Sequence, residues 1–147
     1  MICLDSDLFL IDLRYPRDRR VRQTRAFLDW VARSGNGATT VFNLLEVSGV
    51  LSFNLNPQQL IDFYMHFPRR YRVQILPDHD PRRSLPGVRV SEILRVMQER
   101  AAFGDALIAA QVNRLRRVLD AFVTWNDAHF RGRLAVPVFT PATFSPD

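Results

Sequence analysis

Five short apolar runs punctuate the chain: Ile2-Cys3-Leu4, Ala38 to Val41, the alternating Tyr71, Val73 and Ile75, Ala121-Phe122-Val123, and Val136-Pro137-Val138-Phe139. Each is too short for a helix. The stretches between them carry apolar residues at helical spacing, as in Val21, Phe27, Leu28 and Val31. Strands that are apolar throughout, alternating with helices, can bury themselves only as a parallel sheet covered on both faces. The fold class read from this pattern is α/β. With 147 residues and no linker, repeat or shift in composition, the chain reads as one domain spanning 1–147.

Local signals bound the helices. One starts near Ser6. A second runs from Asp18 to Arg33 and is closed by Ser34-Gly35-Asn36-Gly37. A largely apolar helix from Phe42 to Leu51 is interrupted by Glu46. Asn56-Pro57 opens the next, with a capping side chain followed by proline at the first helical position, and Pro68 is expected to stop it. Ser91 is positioned to cap a helix to about Ala102, and Asp105 to open another to Arg117. Pro137 cannot donate to a ladder, which puts the last strand at a sheet edge.

Composition excludes several classes. Cys3 is the only thiol, so no intrachain disulfide can form, and a reducing, cytoplasmic setting is expected. No run approaches the ~18 apolar residues of a membrane span, and the first residues carry acids where a signal peptide carries positive charge. The net charge is +5, and all 20 basic residues are arginine. Chemistry that needs a lysine amine is therefore excluded, including Schiff bases and the P-loop lysine. Arginine suits phosphate because its planar guanidinium makes paired bonds to two oxygens, although codon bias explains the same count equally well.

The acids are placed more tellingly. Ligands of open parallel sheets bind outside the carboxyl ends of the strands. Asp5 ends the first strand, Glu46 lies early in the helix after the second, Asp105 opens a buried helix, and Asn126-Asp127 follows the fourth strand. Right-handed crossovers bring these points to one edge. Converging carboxylates repel one another unless a cation neutralises them, and Mg²⁺ or Mn²⁺ prefers such oxygen ligands. That combination points to metal-assisted hydrolysis of a phosphodiester. Each acid alone also suits a structural role: Asp5 and Asp105 as helix caps, Asp127 in a solvated turn.

At these residues the sequence resembles the PIN-domain family, in particular VapC-type toxins of toxin–antitoxin pairs. The resembling segments are Leu4-Asp5-Ser6-Asp7, Glu46, Gly104-Asp105-Ala106-Leu107-Ile108-Ala109-Ala110 and Thr124-Trp125-Asn126-Asp127-Ala128-His129-Phe130, in the family's order. The resemblance implies strand order 3-2-1-4-5 and a metal-dependent endoribonuclease acting on single-stranded RNA. It implies Asp5, Glu46, Asp105 and Asn126 as catalytic metal ligands for Mg²⁺ (or Mn²⁺), with Asp127 as the substitute for Asn126. A small antitoxin and a second copy of the chain are the implied partners. Asp7 stands where many of the family carry Asn.

Arg19, Arg22 and Arg25 could track an RNA backbone or form a solvated helix face, and Trp125 could stack on a base or pack internally. A non-catalytic PIN-like module that holds RNA or a protein is the alternative reading. Asp5-Ser6-Asp7 also resembles the first motif of haloacid-dehalogenase-type phosphatases. That chemistry needs a later lysine and a second acid where Ala109 stands.

Overall fold

In the computed structural model, which describes residues 1–145, the apolar runs become five parallel strands. They are β1 (Ile2–Leu4), β2 (Gly37–Thr40), β3 (Gln74–Leu76), β4 (Ala121–Val123) and β5 (Val138–Phe139), in the order β3-β2-β1-β4-β5. The expected domain therefore runs two residues past the described ones. Side chains of β1 alternate between two cores as strand pleating requires. Ile2 and Leu4 face the core that holds Phe9, Leu28 and Phe67. Cys3 faces the one that holds Ala109, Val112 and Phe130.

The first core is roofed by α1 (Ser6–Arg14), α2 (Val21–Ser34), α3 (Val41–Leu51) and α4 (Pro57–Tyr71). The second is covered by α5 (Val90–Gln98), α6 (Phe103–Arg114) and the short α7 (Asp127–Phe130). Phe9 of α1 meets Phe67 and Tyr71 of α4 edge-on, with ring centroids 4.8 Å apart in both pairs. Gly35 ends α2 in the left-handed region (φ 67°), its N–H returning to the Val31 carbonyl. Gly37 is needed for a different reason: a Cβ there would come within 2.3 Å of Val31 Cγ1, so α2 could not lie this close to β2.

Four local expectations need correcting. Pro68 does not stop α4; the helix continues to Tyr71 and ends at Arg72, which takes the left-handed conformation (φ 52°). Burial of Phe67 and Tyr71 against Phe9 outweighs the N–H that proline lacks. Tyr71 is accordingly a helical residue and not part of β3. Arg89, not Ser91, precedes the first residue of α5. Helix α6 begins at Phe103, so Asp105 lies in its first turn and does not cap it. The edge position expected from Pro137 is observed: β5 is the outer strand, and the Pro137 carbonyl accepts from Phe122 N–H at 2.9 Å.

Candidate metal centre

Asp5 sits where β1 hands over to α1. Its backbone N–H donates to the Val123 carbonyl at 3.0 Å, extending the ladder by one residue. Its side chain points to the strand ends and is only 5% exposed. Oδ1 accepts from Ser6 N–H (2.8 Å) and from Asn43 Nδ2 (2.9 Å). Oδ2 accepts from the Thr124 hydroxyl at 2.7 Å. Thr40 Oγ1 donates to Asn43 Oδ1 at 2.6 Å, which fixes the amide so that its N–H₂ faces Asp5.

Asp7 is the second carboxylate of the centre. Its Oδ2 accepts from Trp125 N–H at 2.8 Å and lies 3.1 Å from the same Thr124 hydroxyl. One hydroxyl proton therefore serves two carboxylates. Asp7 Oδ1 is buried and has no hydrogen-bond partner among the described residues. Burial pushes the Asp5 carboxyl well above the usual range, and the neighbouring charges of Asp7 and Glu46 push it further. Burial also raises Asp7, against the hydrogen bonds from Trp125 and Thr124.

The other candidates are arranged more loosely. Glu46 lies on the solvent side of α3, with Leu45 beside it, so its position inside an apolar run does not mean burial. Its Oε1 is 3.8 Å from where a Cβ on Gly104 would stand, which brings α3 and the start of α6 together. Asp105 Oδ2 is 3.0 Å from His129 Nδ1. Asn126 is exposed and its side chain does not cap α7. Asp127 is bound by Arg131 at 2.6 Å one turn along α7. Among the described residues, no three His, Cys, Asp or Glu side chains form a preassembled metal cluster.

Asp7, Asn43, Thr124 and His129 are not among the residues proposed from sequence. Asn43 had a local signal, a Thr-x-x-Asn at a helix start after a strand. The other contacts join positions 24 to 119 residues apart. The proposed nucleic-acid contacts divide. Arg19 and Arg22 are exposed. Arg25 donates to Asp12 Oδ1 at 2.8 Å and is committed within the fold. Trp125 is part-buried: it donates from Nε1 to Thr24 Oγ1 at 2.8 Å, and the Arg20 guanidinium lies 5.9 Å from its ring centroid.

The paired acids predict an inverted pH response. A carboxyl with a raised folded pKa keeps its proton where the unfolded chain has lost it, so the folded state binds more protons. Stability should fall as pH rises from the unfolded value near 3.8 through the raised folded values of Asp5 and Asp7. Asp18, held down at about 2 by Arg20, acts in the opposite sense but only below that window. Asp7→Asn removes one of the two charges, so urea titrations of metal-free protein between pH 4 and 7 should show a flatter slope. The variant should gain about 1–2 kcal/mol near neutrality, the usual yield of relieving a functional site. An unchanged slope would mean that the two carboxylates do not interact.

Five parallel strands in this order, with Asp5 and Asp7 just past the carboxyl end of β1, give a PIN-type α/β fold. Three solved structures share it along nearly their whole length. A chain of "FitAB bound to IR36 DNA fragment" is 15% identical, with TM-score 0.58 and 99% of each chain covered. A chain of VapBC2 from Rickettsia felis, bound to a DNA fragment from its promoter, is 15% identical, with TM-score 0.62 and 95% and 98% covered. A chain of FitAcB from Neisseria gonorrhoeae is 16% identical, with TM-score 0.63 and 98% and 100% covered. No family model and no curated protein matches the sequence.

Proposed function

We propose that the chain is a Mg²⁺- or Mn²⁺-dependent endoribonuclease that hydrolyses single-stranded RNA, and that it is the toxin of a toxin–antitoxin pair. The observation that carries this reading is the Asp5–Asp7 pair at the carboxyl edge of the sheet. A buried carboxylate and a part-buried one share one hydroxyl, and one buried oxygen, Asp7 Oδ1, has no partner among the described residues. Such an arrangement is costly without a cation and suits a hard one. The lack of a three-acid cluster is compatible with Mg²⁺, which keeps several waters and binds through one or two carboxylates together with substrate phosphate.

Asp5 and Asp7 would hold the ion, and Glu46, Asp105 and Asn126 would bind its waters or the substrate. When bound, the ion would neutralise this charge, polarise a phosphodiester oxygen and lower the pKa of an attacking water. Thr124 and Asn43 keep Asp5 in one rotamer. His129 holds Asp105. The exposed Arg19 and Arg22 supply positive surface for a strand. A cytoplasmic setting, a small antitoxin partner and a homodimer belong to the same reading, of which the antitoxin alone is in keeping with the named FitAB and VapBC2 complexes.

The test adds Mg²⁺ or Mn²⁺ to metal-free protein with mixed single-stranded RNA. Cleavage should appear with the ion, and chelator should abolish it. Cleavage equal with and without chelator would overturn the metal dependence. RNA bound but left intact would favour the non-catalytic module, a reading that the engagement of Asp105 by His129 supports.

A further inference from the structure

On the face opposite α1 and α2, helix α5, the far end of α6 and the turn after α7 enclose a cavity of about 330 Å³. Four arginines line it, Arg95, Arg114, Arg116 and Arg133, against two carboxylates, Glu92 and Glu99. We propose that this cavity is a phosphate-binding site, separate from the carboxylate centre, in which Arg95 and Arg116 grip a phosphate dianion.

The four arginines are not equivalent. Arg114 donates from Nε to Glu92 Oε1 at 3.0 Å and also to the Gly87 carbonyl. Arg133 donates to the carbonyls of His129 and Glu99. These two brace the walls. Arg95 and Arg116 are exposed and have no hydrogen bond or ion pair among the described residues. Both oxygens of Glu92 are already taken, by Arg114 and by the Arg89 N–H. Asn113 is likewise spent, on the Arg133 carbonyl and Ala135 N–H. The free charged donors of the cavity are therefore the guanidiniums of Arg95 and Arg116, with the Gln98 amide beside them, and positive charge exceeds negative by two.

Because the chain has no lysine, the presence of arginine alone says little; its convergence from three elements on one concavity is the signal. Unpaired like charges held together destabilise a fold unless an anion joins them. A phosphate offers paired oxygens matched to the guanidinium fork, and its dianion matches the surplus charge. The site lies at the other end of α6 from Asp105. Asp105 is in the first turn of α6 and Arg114 is its last residue, about 13 Å along the axis at 1.5 Å per residue. The proposal does not depend on the nuclease reading.

Thermal melting and calorimetry of the full chain would use inorganic phosphate and pyrophosphate as probes, with chloride at equal ionic strength as the control. Wild type should show a saturable rise in melting temperature with the phosphates alone. The double variant Arg95→Ala, Arg116→Ala should melt normally in chloride and bind about a hundredfold more weakly, the loss expected from two charge-assisted bonds. Arg95→Lys with Arg116→Lys keeps the charge without the fork and should fall between. Two further arms identify the source of the phosphate. Competition by a short single-stranded RNA, lost in the double variant, assigns the site to a strand's backbone; binding of the free anions without such competition assigns it to a small phosphorylated ligand. No saturable shift beyond chloride, or equal affinity in the alanine variant, overturns the proposal.

Discussion

Asp5→Asn should reduce metal-dependent RNA cleavage by about 10²–10³-fold while leaving the fold intact. The magnitude is that of removing one preorganised electrostatic group from a reaction centre. The intact fold follows from the hydrogen bonds. An asparagine here keeps an oxygen for Ser6 N–H and Asn43 Nδ2 and turns its own N–H₂ toward Thr124 Oγ1. That hydroxyl can then donate to Asp7 Oδ2, 3.1 Å away, while still accepting from Asn126 N–H. Each group now bonded to Asp5 keeps a partner, and one negative charge is gone. Single-turnover cleavage with Mn²⁺, beside a urea melt of the same preparation, measures both halves. Activity within tenfold of wild type in a folded variant would remove Asp5 from the reaction centre, and with it the nuclease reading.

Phe9→Ala should cost about 3–5 kcal/mol of stability, the usual range for emptying a fully buried aromatic position. Phe9 has no exposed surface and packs edge-on against both Phe67 and Tyr71. Against a total of about 5–15 kcal/mol, this loss leaves little reserve. At roughly 2–4 °C per kcal/mol for a domain of this size, melting should drop by about 10 °C. Phe9 lies two residues past Asp7 on α1, so looser docking of that helix should also weaken stabilisation by Mn²⁺. A loss under 1 kcal/mol would show that the core closes over the gap and that the aromatic trio does not clamp α1 to α4.

Legibility from sequence followed the range of the interactions. Asp5 could be read because a strand apolar on both faces ends there, and that is a property of three consecutive residues. The Asn56 cap with Pro57 behind it could be read for the same reason. Pro68 misled because its local cost is real but smaller than the burial of Phe67 and Tyr71, which depends on Phe9, nearly sixty residues away. The exposure of Glu46 could not be read from its apolar surroundings: α3 touches both cores and still leaves Leu45 and Glu46 in solvent.

By itself the sequence determined the α/β class, the five strands, the edge position of β5 and the place of Asp5 at the end of β1. All of these arise from periodicity, short apolar runs and the chemistry of single residues such as proline. Only the tertiary structure decided that Asp7 pairs with Asp5, that Thr124 spans them and that Asn43 holds one of them still. Only it decided that Arg25, Asp127 and Trp125 are engaged within the fold and that four arginines surround one cavity. The physical reason is direction. Sequence pattern says which end of an element a residue occupies, whereas hydrogen bonds and charge depend on ångström separations that exist only once distant segments have packed.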